Sequence, residues 1–157
     1  MASITQPALL EVLATEEHTI DALLRRIDDT QWTTLHRADG WSLAEVFGHL
    51  GDSAYGMSFL AEKGQPSEGT PIGADGRLDI NALNEQRRQK HMTMNRVQIE
   101  RRVKGGLAEA QRVIEQTPDD AMDGPGPFGP QPTKGEWLNL IIRHIAQHRE
   151  EIEAIVK

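Results

Sequence analysis

The sequence predicts an all-α protein, a single-domain four-helix bundle over residues 1–157, and three observations predict it. Apolar residues recur at helical spacing in four separate stretches. Two of those stretches open on a Ser/Thr-x-x-Glu capping box, Ser42-Leu43-Ala44-Glu45 and Thr133-Lys134-Gly135-Glu136. No segment alternates apolar and polar residues with the period of two that a half-buried strand requires.

The first helix is expected over Pro7–Ile27. Pro7 suits a first helical position, with Thr5 or Gln6 capping before it. Leu9, Leu13, Ile20, Leu24 and Ile27 recur on one side, and Leu10, Val12 and Leu23 suggest a second apolar face. Asp28 to Gly40 reads as a connector. The second helix is expected over Ser42–Glu62, with Trp41 placed to pack onto Val46, and Gly64-Gln65-Pro66 stops it. A polar loop runs from Gly64 to Asp79.

A third helix is expected over Asn81–Gln116, with a kink or short break at Gly105-Gly106. Thr117 to Pro132 is rich in Pro and Gly and reads as a long loop, neither helix nor central strand. The fourth helix is expected over Lys134–Val156. The long second and third connections leave room for a crossover.

Composition narrows the function. The 157 residues include no cysteine, so the chain has no thiolate of its own to attack a substrate or bind a metal. The net charge of −7 argues against nucleic acid as a partner. No apolar run approaches the ~20 residues that span a bilayer, so no membrane partner is expected. The stretch Met1 to Pro7 lacks the basic start and apolar block of a signal peptide, and the expected location is the cytoplasm.

The chemistry concentrates in histidines. His144 and His148 are four residues apart and lie on one helical face, in a seam that reads Trp137, Ile141, His144, His148, Ile152. Two imidazoles in an apolar seam need partners, either hydrogen-bonding groups or a shared metal ion. His49, at the edge of the second helix's apolar face, is the candidate third ligand. Such a set leaves at least one metal position open. Asp52, one turn later, is a candidate to orient His49 or to ligate weakly, and equally suits a solvated surface.

Other features have two readings. Arg87, Arg88, Lys90, Arg96, Arg101, Arg102 and Lys104 make the third helix basic. One or two of them could neutralise an anionic substrate, but a solvated face is the commoner role. The Pro/Gly loop around Phe128 is either a lid over the histidines or a connector. His18, His36 and His91 have no second histidine at ligand spacing and read as surface or internally satisfied residues. No serine-histidine-aspartate order, phosphate loop or dinucleotide fingerprint is present.

The stretch from Trp41 to Asp52, WSLAEVFGHLGD, resembles the W-S-x-x-x-x-x-x-H-L-x-D segment of the DinB-like superfamily. Ile142 to Ile152, IRHIAQHREEI, resembles that superfamily's closing H-x-x-x-H-x-x-x-I helix, in the same order and at similar separation. The resemblance implies a four-helix bundle with a metal site on His49, His144 and His148, often in a homodimer. It also implies a range of activities, among them thiol-dependent S-transferases and mycothiol-dependent isomerases, alongside many members without a known role.

The expected function is therefore a metal-dependent enzyme in which one divalent ion, Zn or Ni foremost and Fe or Cu as alternatives, activates an exogenous low-molecular-weight thiol against a small-molecule substrate. One alternative is a hydrolase that activates water, with Asp52 or Glu45 as general-base candidates. The other is a non-enzymatic, stress-related binding protein. A homodimer is expected from the resemblance and from the two apolar faces of the first helix.

Overall fold

Thr5 opens the first helix, its hydroxyl accepting the Ala8 amide, and α1 then runs over Gln6–Arg26 with Pro7 in its first turn. The computed structural model describes residues 3–157; Met1 and Ala2, where the N-terminal stretch lacking signal-peptide features begins, lie outside the described residues. Leu9, Leu13, Ile20 and Leu23 of α1 are buried in the core. Leu23 thus belongs to the core face, which corrects the second apolar face expected for α1. Of that face only Val12 is exposed, with Leu10 half-buried.

The connector after α1 contains an unexpected short helix, α2, Asp29–Thr34. Asp28 and Gln31 form a reciprocal capping box: the Gln31 amide donates to Asp28 Oδ1 (2.8 Å) and the Asp28 amide donates to Gln31 Oε1 (3.0 Å). The helix seats Trp32, which stacks on Phe47 with centroids 5.5 Å apart. The next helix, α3, spans Leu43–Lys63 from the expected Ser42 cap and ends at Gly64, whose φ of 71° suits glycine.

The single third helix expected over Asn81–Gln116 is two helices, α4 (Ile80–His91) and α5 (Arg96–Glu115). The break falls at Met92–Asn95 and not at Gly105-Gly106. Asn95 and Gln98 explain its position, exchanging amide-to-side-chain hydrogen bonds of 2.9 Å that start a new helix. The glycine pair has another role. A Cβ on Gly106 would lie 2.1 Å from the Gly51 carbonyl oxygen, so the backbones of α3 and α5 meet there with no room for a side chain.

The Pro/Gly loop contains a 3₁₀ turn at Asp119–Ala121 and a small antiparallel hairpin, β1 (Pro125–Gly126) and β2 (Gly129–Thr133), with Phe128 in its turn. The hairpin adds local structure to the expected long loop and supplies no central strand; it is too short to form a sheet that could replace the helical core. The last helix, α6, covers Lys134–Ile155 from the Thr133 cap.

The four long helices form a closed cycle of neighbours: α1 packs on α6, α6 on α3, α3 on α5, and α5 on α1. The chain therefore crosses between diagonal corners in its first and third connections, while the second, which carries α4, joins neighbours. Among the described residues no helix is long and apolar enough to cross a membrane. Phe47, Leu50, Ile99, Leu138, Ile141 and Ile145 fill the centre of the bundle, and the packing of α3 on α6 sets the functional site.

Candidate metal centre

His49 comes from α3, and His144 and His148 come one turn apart from α6. Three of their ring nitrogens, one from each, lie within 4.8 Å of one another. Ring centroids are 4.5 Å apart for His144–His148, 4.6 Å for His49–His148 and 5.8 Å for His49–His144. His49 and His148 are buried and His144 is half-buried, so the cluster is reached from the His144 side. The structure thus brings together the three residues expected as ligands from the sequence.

The surroundings hold two of the rings uncharged. Burial pushes the His49 imidazole down to about 3, helped by His148, His144, Arg87 and Arg37. Burial and His148 likewise push His144 down to about 4, against the pull of Glu151. Both rings are neutral at neutral pH, the state in which an imidazole has a lone pair to offer.

His148 is oriented by a partner. Its Nδ1 lies 2.8 Å from Glu151 Oε2. A carboxylate only accepts, so the ring proton sits on Nδ1 and the Nε2 lone pair faces the cluster. That Nε2 lies 3.1 Å from His144 Nε2. Burial disfavours the Glu151 charge, but hydrogen bonds from His148 and Arg37 outweigh it and hold the carboxyl below its ordinary value. Arg37 donates to Glu151 Oε2 (2.9 Å) and grips Asp39 through two bonds of 2.7 and 2.9 Å.

Around His49, Ser53 Oγ lies 3.3 Å from Nε2, and Trp41 stands edge-on at 5.7 Å. Trp41 is flanked by the Arg37 and Arg88 guanidinium groups, 4.7 and 5.3 Å from its ring centroid.

The donor set fits a divalent ion. Nitrogens on a tetrahedral ion sit about 3.3 Å apart when each bond is near 2.0–2.1 Å. The 3.1 Å separation in the α6 pair is close to this, and the three donors lie within 4.8 Å of one another. Three imidazole nitrogens with a carboxylate behind one of them are a transition-metal donor set, ill suited to Mg²⁺ or Ca²⁺.

Asp52 does not join the cluster. Its Oδ2 lies 2.8 Å from His91 Nε2 and its Oδ1 accepts from Arg102 at 3.1 Å. That excludes its expected service to His49, because α3 turns Asp52 toward α4 and α5. Glu45 is bound by Arg88 and by the Ser42 hydroxyl. Both carboxylates named as general bases are therefore engaged elsewhere. His18 and His36 are exposed, as expected, and His91 is buried and bound to Asp52 through Nε2.

Glu151, Arg37 and Ser53 were missed. Glu151 follows His148 by three residues and shares its helical face, a spacing visible in the sequence. Arg37 lies in the connector, where no periodicity announces a neighbour.

A cleft of about 260 Å³ opens beside His144 and Ser53. Its walls are largely apolar, including Leu60, Leu78, Leu83 and Trp137, with Arg87 and Asn84 on α4. Phe128 lies edge-on to Trp137 at 5.4 Å and lines the cleft too, so the Pro/Gly segment reaches the site as a wall.

A family model described as the DinB superfamily matches residues 13–152. No curated protein and no solved structure matches the chain.

Proposed function

The chain belongs to the DinB superfamily, and from that premise we propose that it is a metal-dependent enzyme that joins an exogenous small thiol to an electrophilic small molecule. His49, His144 and His148 are the proposed ligands of one divalent ion, Zn²⁺ or Ni²⁺ foremost. The observation that carries the proposal is the converging histidine trio, with His49 and His144 held neutral, beside a largely apolar cleft. A divalent ion bound there supplies Lewis acidity, favouring the thiolate over the thiol at neutral pH.

The chain's own residues do the rest. Glu151 keeps the His148 proton on Nδ1 and leaves Nε2 free. Arg37, fixed by Asp39, holds Glu151 in its charged form. The largely apolar walls beside His144 give water few partners, which favours a thiol over competing solvent. The chain contains no cysteine, so the sulfur nucleophile comes from outside. Hydrolysis is the weaker alternative, because the carboxylates available as bases are held in ion pairs.

Protein prepared without chelator or histidine tag is expected to carry about one divalent ion per chain, as a single three-ligand site requires. Most of that ion is lost in His49→Ala and in His148→Ala. With Co²⁺ bound, a small thiol is expected to produce a sulfur-to-metal charge-transfer band that strengthens with pH and vanishes in His144→Ala. Ester or amide cleavage without any thiol response would replace this function with the hydrolytic one. A bound metal with neither response would favour a non-enzymatic binding protein.

A further inference from the structure

The basic stretch over α4 and α5 divides into paired and unpaired cations. Arg88 pairs with Glu45, Arg96 with Asp29 and Glu100, and Arg102 with Asp52. Lys90, Arg101 and Lys104 are exposed to solvent. Arg87 differs from all of these. Among the described residues it has no carboxylate within ion-pair distance, and the acid acting on it, Asp52, is already held by His91 and Arg102.

Arg87 is half-buried and turned inward, lining the cleft that also contains His144. Gly56 makes that position available: a Cβ there would lie 2.7 Å from Arg87 Nη2. Burial pushes the guanidinium below its ordinary value, with Asp52 acting in the opposite direction. A cation withdrawn from water without a bound counter-charge is costly, and an anion entering the cleft offsets that cost. Its planar fork matches a carboxylate in two parallel hydrogen bonds. Asn84, one turn earlier on α4, adds a polar side chain to the same wall. Leu60, Leu78, Leu83 and Trp137 offer only apolar surface.

We propose that Arg87 is the recognition residue for an amphipathic organic anion, a small carboxylate whose charged end meets the guanidinium and whose apolar body fills the cleft beside His144. That this anion is the enzyme's substrate rests on the metal-enzyme function proposed above; its binding does not, since neither Arg87 nor the apolar walls are ligands of the ion.

Chelator-treated protein titrated calorimetrically with octanoate, octan-1-ol and octylamine tests this on the unmodified chain. Octanoate is expected to bind about tenfold or more tightly than the alcohol, as a charge-assisted hydrogen bond provides, with the amine weakest. Arg87→Gln is expected to abolish the preference for octanoate. Arg87→Lys is expected to keep part of it, since charge survives while the fork does not. Should Arg87→Gln fail to fold by circular dichroism, the three-ligand comparison on the unmodified chain decides alone.

Equal binding of octanoate and octan-1-ol, no binding of octanoate, or unchanged octanoate affinity in folded Arg87→Gln overturns the proposal. Metal content, measured separately, keeps the two ideas distinct. A chain that takes no metal but discriminates octanoate sinks the metal function alone. A chain that takes metal without discriminating sinks the Arg87 assignment alone.

Discussion

Glu151 holds the ring of His148 by a hydrogen bond of 2.8 Å from Nδ1 to Oε2. The bond fixes both the tautomer and the ring plane, so its loss is expected to act on metal affinity before it acts on the fold. Glu151→Ala is expected to weaken metal binding about 10- to 100-fold, with the helical circular dichroism unchanged. Arg37→Ala is expected to move affinity in the same direction by less, because it acts through Glu151. Competition against a chelator of known affinity measures both, and an unaltered Glu151→Ala affinity would detach the carboxylate from the site.

Metal-free protein is expected to lose stability as the pH falls below about 6.5. His49 and His144 have folded values of about 3 and about 4, against 6.5 for an ordinary imidazole. Between those limits the unfolded chain binds more protons than the folded one, so acid favours unfolding. The contribution is complete above the unfolded value and lost as the pH descends toward the folded ones. Urea unfolding at stepped pH reads the slope, and His49→Gln and His144→Gln should each flatten it.

Two adjacent glycines are expected to respond with opposite signs. Gly106→Ala puts a methyl group against the Gly51 carbonyl and should cost about 1–3 kcal/mol or more as overpacking. Gly105→Ala meets nothing within 4 Å and should stabilise by about 0.4–1 kcal/mol through the unfolded chain. Denaturant midpoints of the two variants provide the check. A stabilised Gly106→Ala would contradict the close approach of α3 and α5.

Asp52→Ala separates a packing role from ligation. The change strands the buried Nε2 of His91 and should destabilise by about 1–3 kcal/mol. Metal stoichiometry should stay at the parent value, because Asp52 faces away from the trio. Loss of metal from a folded Asp52→Ala protein would restore it to the site.

Where a signal was local, the sequence carried it. The hydroxyls of Ser42 and Thr133 cap α3 and α6 as expected, although Glu45 and Glu136 accept from those hydroxyls and do not close the box on the cap amides; the His144–His148 spacing needed only a helix to become a pair. The joining of His49 to that pair depends on α3 packing against α6, which periodicity alone does not specify. The break at Met92–Asn95 rests on the polar pair Asn95 and Gln98, a weaker signal in sequence than the adjacent glycines Gly105-Gly106. Glycine marks either a bend or a close contact, and only the position of Gly51 distinguishes them. Asp52 looked like a partner of His49 because the two are near in sequence; residues three apart on a helix can still face different neighbours, and Asp52 faces His91 and Arg102.

The three clustered histidines all stand on long helices, but part of the cleft wall does not. His49, His144 and His148 project from long helices locked into the cycle, where a shift of one position would move the core as well. Pro66, Thr70 and Leu78 come from the segment between α3 and α4, and Phe128 comes from a hairpin turn. Substitutions in those two segments can reshape what enters the cleft while the frame that presents the imidazoles stays as it is. Selectivity can thus drift independently of reactivity, and a shared histidine geometry need not predict a shared ligand among chains built this way.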